Sequence, residues 1–283
     1  MNGLDKKVNS NRRLAKRFHT LNRINFCSFK LRHITKISSL RKVPFDLHTL
    51  EVTDSNYIYR ACINETEEPF KSINRIKYNP NPQYISRANV FGQGIAYYAC
   101  APDISIIEGC QDSLRNSDKR KFTMTLSKWK IRKRLSVQIV CNSKKSQQGG
   151  TDLHLFCNGT KRKRLRNMKR KDYRTYFLKT RLLADQYAKT NIKCDEDYYI
   201  SALHSKSVLN PHKNIDGIIY PSVGYLYTGF NYAFPPRLFD NNYFELEEVS
   251  NIYVEFDKTN YKKYPYWGIL ETTSNFENDR ILW

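Results

Sequence analysis

The chain has 283 residues, 40% apolar and 13% aromatic, enough to bury the core of one large domain or a medium domain with extensions. No run of about 18 apolar residues occurs, so no helical membrane span is expected, and the basic N-terminus lacks the apolar stretch of a secretory signal. A cytoplasmic protein is the expectation.

The net charge of +21 is uneven. Residues 1–50 carry 12 Lys/Arg against 2 Asp/Glu, and residues 115–175 carry 20 against 3. The remainder is slightly acidic, so basicity does not define the core. Seven cysteines at 27, 62, 100, 110, 141, 157 and 194 include no C-x-x-C pair. An odd, scattered set predicts free thiols and neither a disulfide frame nor a zinc site. The six histidines show no H-E-x-x-H spacing, so no metal is expected.

Residues 1–49 form a basic extension, where Leu14, Phe18 and Leu21 fall at helical spacing before Pro44. The core spans 50–257. Asn56 to Ile63 predicts a strand, and 65–83, with Pro69, Asn79-Pro80 and Asn81-Pro82, a loop. A turn at Gly92 and Gly94 leads into a short strand, Ile95 to Ala99. Pro102-Asp103 starts a helix with Asp103 as its N-cap, and Ile104, Ile107, Gln111 and Leu114 share one face.

Alternation predicts strands at Phe122–Leu126 and Leu135–Ile139. Residues 142–171 are a basic, exposed excursion. Tyr176 to Ala188 returns to helical spacing, 216–222 is a buried strand, and a further strand lies within Phe244–Phe256. Residues 258–283 are expected as a tail. Short strands and a few helices without βαβ regularity make an α+β fold.

Each candidate site residue has two readings. Glu108, at the edge of its helix's apolar stripe, either keeps its carboxylate in water or faces a pocket. Arg87 is either a bidentate anion binder or a loop brace. Tyr97 and Tyr98 point to opposite faces of a strand, so one is core and the other is free to line a pocket. Ser222 follows Tyr220-Pro221 at a strand end and either caps a turn or contacts a ligand. Asn231, within an aromatic run, must find partners in backbone or ligand.

Their order resembles the RES family, NAD-consuming toxins of bacterial toxin–antitoxin pairs. Tyr59-Arg60 matches an early strand. Ser86-Arg87-Ala88-Asn89 matches a G-R-W-N segment, with Ser86 and Ala88 in place of its glycine and tryptophan. Gly92, Tyr97-Tyr98-Ala99, Ser105 to Glu108, Gly217 to Ser222 and Asn231 to Phe234 follow in the same order, with a longer gap between Glu108 and Ser222, so the likeness runs from about 55 to 256. It implies an ADP-ribosyltransferase-like fold and cleavage of the nicotinamide–ribose bond of NAD, with water, phosphate or a macromolecule as acceptor.

The catalytic group so implied is Glu108, Arg87, Tyr97 and Ser222. Tyr59, Arg60, Asn89 and Asn231 form a supporting ring around NAD. Glu108 would stabilise an oxocarbenium-like state, Arg87 hold pyrophosphate, Tyr97 stack on nicotinamide, and Ser222 fix ribose or amide. An antitoxin protein is the implied partner. The run Lys161 to Lys171 offers a competing reading, a nucleic-acid-binding surface.

Overall fold

Strand propensity and period-2 burial dominate this chain, and in the computed structural model they assemble a nine-stranded sheet. The structure describes residues 48–53, 56–141, 170–257 and 264–283. The helical pattern at Leu14–Leu21 and the basic run 161–169 lie outside the described residues.

The strands are β1 (His48–Val52), β2 (Tyr57–Ile63), β3 (Ala96–Ala99), β4 (Lys121–Ile131), β5 (Leu135–Ile139), β6 (Gly217–Pro221), β7 (Phe230–Phe234), β8 (Phe244–Glu255) and β9 (Tyr266–Thr273). Their order across the sheet is β1-β5-β6-β7-β3-β2-β4-β8-β9. The β5–β6 pair is parallel, and every other neighbouring pair is antiparallel. A short hairpin of β10 (Phe276–Glu277) and β11 (Arg280–Ile281) follows. The helices are α1 (Ile73–Lys77), α2 (Pro102–Asn116), α3 (Arg170–Tyr187), α4 (Tyr199–Val208) and α5 (Arg237–Asp240). A 3-10 turn, Asp195–Tyr198, precedes α4. The molecule is a mixed α+β protein.

Alternation sorts each strand between two cores. Ile219, Tyr232 and Phe234 belong to one face with Tyr98, Trp129 and Phe244, sealed by Ile73 and Ile76 of α1 and Leu238 and Phe239 of α5. Their neighbours Ile218, Tyr220 and Ala233 face the other side. That second face is covered by two separate clusters. Leu183 and Tyr187 of α3 with Val208 of α4 cover β6 and β7, while Ile106, Ile107 and Cys110 of α2 cover β2, β4 and β8. Each large side chain buried this way contributes about 1.5–3 kcal/mol. The gap between the two clusters positions the site.

Four expectations change. The 65–83 loop contains α1, a single turn of helix whose Ile73 and Ile76 are buried. The N-cap of α2 is Ala101, with no side-chain cap bond. Asp103 sits in the first turn, where its carboxylate accepts a 2.7 Å bond from the Trp267 indole. The expected tail supplies β9, paired along β8. Finally, Cys141 and Cys194 each take part in a disulfide, while Cys62, Cys100 and Cys110 are free thiols. The expectation of free thiols throughout therefore fails at these two positions.

Candidate functional site

A cleft of about 340 Å³ opens on the second face, between α2 and the segment leading from α3 into α4. Its lining brings together Tyr59 and Arg60 of β2, Arg87 and Asn89 of the preceding loop, Tyr97 of β3, Glu108 of α2 and Asn231 of β7. Seven of the eight sequence-derived site residues therefore converge. The eighth, Ser222, is fully buried behind the wall and reaches the cleft only through Glu108.

Glu108 is held by both of its oxygens. Oε1 accepts a short bond from the Ser222 hydroxyl and a 3.2 Å bond from the Gly224 amide, while Oε2 accepts from Gln111 Nε2 at 3.2 Å. Ser222 Oγ in turn accepts from the Tyr225 amide at 3.1 Å. Two glycines make this possible. A Cβ at Gly109 would lie 2.7 Å from the Ala61 carbonyl, so α2 closes on β2 only because none is there. A Cβ at Gly224 would lie 2.9 Å from Ile107 Cγ2, so the 222–229 loop could not approach α2. The loop itself is strained, with Leu226 and Tyr227 at φ of 51° and 65°. Such residues cost roughly 1–3 kcal/mol each and persist only where surroundings enforce them. Here Tyr227 donates from its hydroxyl to the Ala188 carbonyl at 3.1 Å.

Arg87 behaves as a brace. Nη1 donates to the Tyr187 carbonyl at 2.7 Å and Nη2 to the Lys189 carbonyl at 2.9 Å, capping the end of α3, and the guanidinium lies 5.1 Å from the centre of the Tyr198 ring. Asp197 locks the same segment through Lys189 at 2.6 Å and the Lys193 amide at 2.8 Å. Burial opposes ionisation of Asp197, but Lys189 and these amides outweigh it and hold the carboxyl below its usual range.

Arg60 is differently placed. β2 and β3 are joined at one pair, Tyr59–Ala99, and Arg60 sits where they part, donating from Nη1 to the Tyr97 carbonyl at 3.0 Å. Its Nε is buried without a hydrogen-bond partner. Arg60 thus lines the cleft with one donor committed to backbone, whereas Arg87 has committed two.

Tyr97 and Asn89 hold the 86–89 loop together. The Tyr97 hydroxyl donates to Asn89 Oδ1 at 2.8 Å, accepts from the Ala88 amide at 2.9 Å and lies 2.6 Å from the Ser86 hydroxyl. Burial pushes that hydroxyl well above its ordinary range, so it stays protonated. Asn89 Nδ2 donates to the Tyr84 and Val90 carbonyls, which leaves its amide saturated internally. Tyr98, as expected for one of the two, packs into the opposite core against Trp129, Phe239 and Phe244.

Sequence reasoning missed Tyr220, Gln111, Tyr84 and Tyr198, which also line the cleft. Two had readable signals: Tyr220 shares strand parity with Ser222, and Gln111 stands one helical turn after Glu108. Nothing local marks Tyr84 or Tyr198. Among the described residues no group of three or more His, Cys, Asp or Glu is arranged to hold a metal ion. No helix among them is long and apolar enough to cross a membrane.

Chemically, the cleft offers one carboxylate with fixed orientation, one guanidinium with a single backbone bond, and aromatic walls. In comparisons with known proteins, no protein-family model matches the chain, and neither does any curated protein.

Proposed function

We propose that the cleft binds NAD and that the protein cleaves the nicotinamide–ribose bond, on a fold similar to ADP-ribosyltransferases as the RES resemblance implies. The observation that carries this reading is Glu108, a carboxylate clamped by Ser222, Gly224 and Gln111 at the wall of a cleft that also holds Arg60. In the cleavage step the C1′–N bond breaks and its electron pair leaves with neutral nicotinamide. The ribose is left oxocarbenium-like, and Glu108 stabilises that charge. When water is the acceptor, it adds to C1′ and releases one proton to solvent. Arg60 takes the pyrophosphate, and Arg87 braces the wall through its bonds to the end of α3. Ser222 serves as the positioning residue for Glu108.

The cleft lies near the lower end of the range of about 300–1,000 Å³ for small-molecule sites, so it would enclose the nicotinamide end and leave the adenosine end at the mouth. Tyr84, half exposed there, offers that end a flat ring. A growth-inhibiting toxin with a neutralising antitoxin partner is the biological setting this chemistry would serve. Transfer of ADP-ribose to a protein or nucleic acid is the alternative outcome of the same step.

The test is incubation of the purified chain with NAD, with and without phosphate or candidate target molecules, followed by product analysis. Release of nicotinamide is expected, and Glu108→Gln should slow it by roughly 100–1,000-fold while circular dichroism stays native. If the folded wild-type protein leaves NAD intact under all these conditions, the proposal fails.

A further inference from the structure

Tyr220 and Asn231 are direct cross-strand partners on β6 and β7, and Ala99 of β3 is the next residue in the same row. Paired residues point to one face, with Cβ atoms roughly 4.5–5.5 Å apart. Both side chains line the cleft, and both are more than nine-tenths buried, at 3% and 5% exposure. Neither the Tyr220 hydroxyl nor the Asn231 amide hydrogen-bonds to any described residue, and neither is sealed off from the cleft's open space. Polar groups this deep almost always have partners. Two of them, adjacent and facing one cavity, mark the place where a ligand supplies the missing bonds.

Their chemistry narrows the ligand. The Asn231 amide presents one acceptor and two donors. Burial pushes the Tyr220 hydroxyl well above its ordinary range, with the nearby Tyr97 and Glu108 adding to the effect, so it is a neutral donor. An uncharged pair that offers donors and an acceptor side by side complements a group that does the same. The small Ala99 beside them leaves room for a flat ring.

Resting on the NAD reading above, we propose that Tyr220 and Asn231 form a carboxamide subsite that recognises the amide of the nicotinamide ring and discriminates against the corresponding carboxylate. A carboxylate has no N–H for Asn231 Oδ1. It would either face that oxygen as an anion or turn the amide and leave the oxygen without a ligand partner, and each costs binding. The subsite gives the amide-fixing role to these two residues and leaves Ser222 with Glu108.

The experiment titrates the full chain with nicotinamide, nicotinic acid and ADP-ribose separately, by ligand-observed NMR, so that no probe is turned over. Wild-type protein should bind nicotinamide roughly tenfold or more tightly than nicotinic acid. Tyr220→Phe, which removes a single oxygen, and Asn231→Leu should each weaken nicotinamide roughly tenfold and leave ADP-ribose unchanged. If Asn231→Leu does not fold, Tyr220→Phe carries the comparison alone. Equal binding of nicotinamide and nicotinic acid, or equal losses for nicotinamide and ADP-ribose, overturns the subsite. Binding of ADP-ribose without nicotinamide overturns it too but leaves the NAD reading standing. Binding of neither removes both.

Discussion

Two arginines reach the cleft, and only their surroundings tell them apart. Arg87 caps the end of α3 through the Tyr187 and Lys189 carbonyls, whereas Arg60 has one backbone acceptor and a buried Nε with none. Arg60→Gln should therefore weaken ADP-ribose binding by about tenfold or more, a charge-assisted contact being lost, with little change in thermal midpoint. Arg87→Gln should show the reverse, a midpoint lowered by several degrees with ADP-ribose affinity largely kept. Calorimetry on the two variants reads both quantities, and an identical pattern in each would refute the division of labour. The motif around Arg87 was visible in the sequence, but its role was not. The carbonyls that claim it belong to residues 100 and 102 positions later, beyond the reach of any local pattern. Glu108 was easier to read, because its place on the rim of an apolar helical stripe already limits where its carboxylate can point.

At the level of elements, legibility followed burial. Strands β2, β5 and β8 and helices α2 and α3 present apolar residues at regular spacing, and β3 and β6 are short buried runs, so all were readable. Helix α1 is one turn inside a proline-marked stretch, too short to show a period. β9 escaped because it is a sheet edge, where Tyr266, Ile269 and Leu270 are more than half exposed. The ladder also slips between Asn251 and Ile252, which breaks the alternation. Glu271 is the only charged residue on that edge, which has no Lys or Pro, the usual protection against edge-to-edge pairing. Leu270→Lys should accordingly raise the temperature at which heated protein begins to scatter light and leave NAD cleavage unchanged. The docking of α2 is the element-level feature on which catalysis depends. Gly109→Val puts a branched side chain where even a Cβ meets the Ala61 carbonyl at 2.7 Å, so the helix must lift from β2. Since Glu108 rides on that helix, nicotinamide release should fall together with thermal stability. A variant that loses neither would show that α2 does not set the carboxylate's position.

Across the whole molecule the two faces of the sheet do different work. One is sealed by α1 and α5, while the other is roofed by α2 and by α3 with α4, and the cleft occupies the seam between those roofs. The α3–α4 roof has an acid-sensitive point. His204 of α4 is buried against the Tyr187 ring, with Nδ1 3.2 Å from the Tyr187 hydroxyl. Burial, helped by the positive charge of Lys213, pushes its pKa down to about 3. In the unfolded chain a histidine takes up its proton near pH 6.5. The folded state refuses that proton until far lower pH, so His204 contributes its full stability above about pH 6.5 and loses it steadily as pH falls toward 3, by roughly 1.4 kcal/mol per unit. Between pH 6.5 and 5 this predicts a loss of roughly 2 kcal/mol in urea unfolding that His204→Gln does not share. Tyr187 joins this point to the cleft, since its carbonyl holds Arg87 and its ring lies 5.3 Å from that of Tyr220, so the cleft changes only where the folded state itself takes up the proton. Because the folded state keeps His204 neutral over this interval, ligand affinity in the wild type should stay level between pH 6.5 and 5 while stability falls. Equal pH slopes in wild type and variant would show that acid acts elsewhere in the fold.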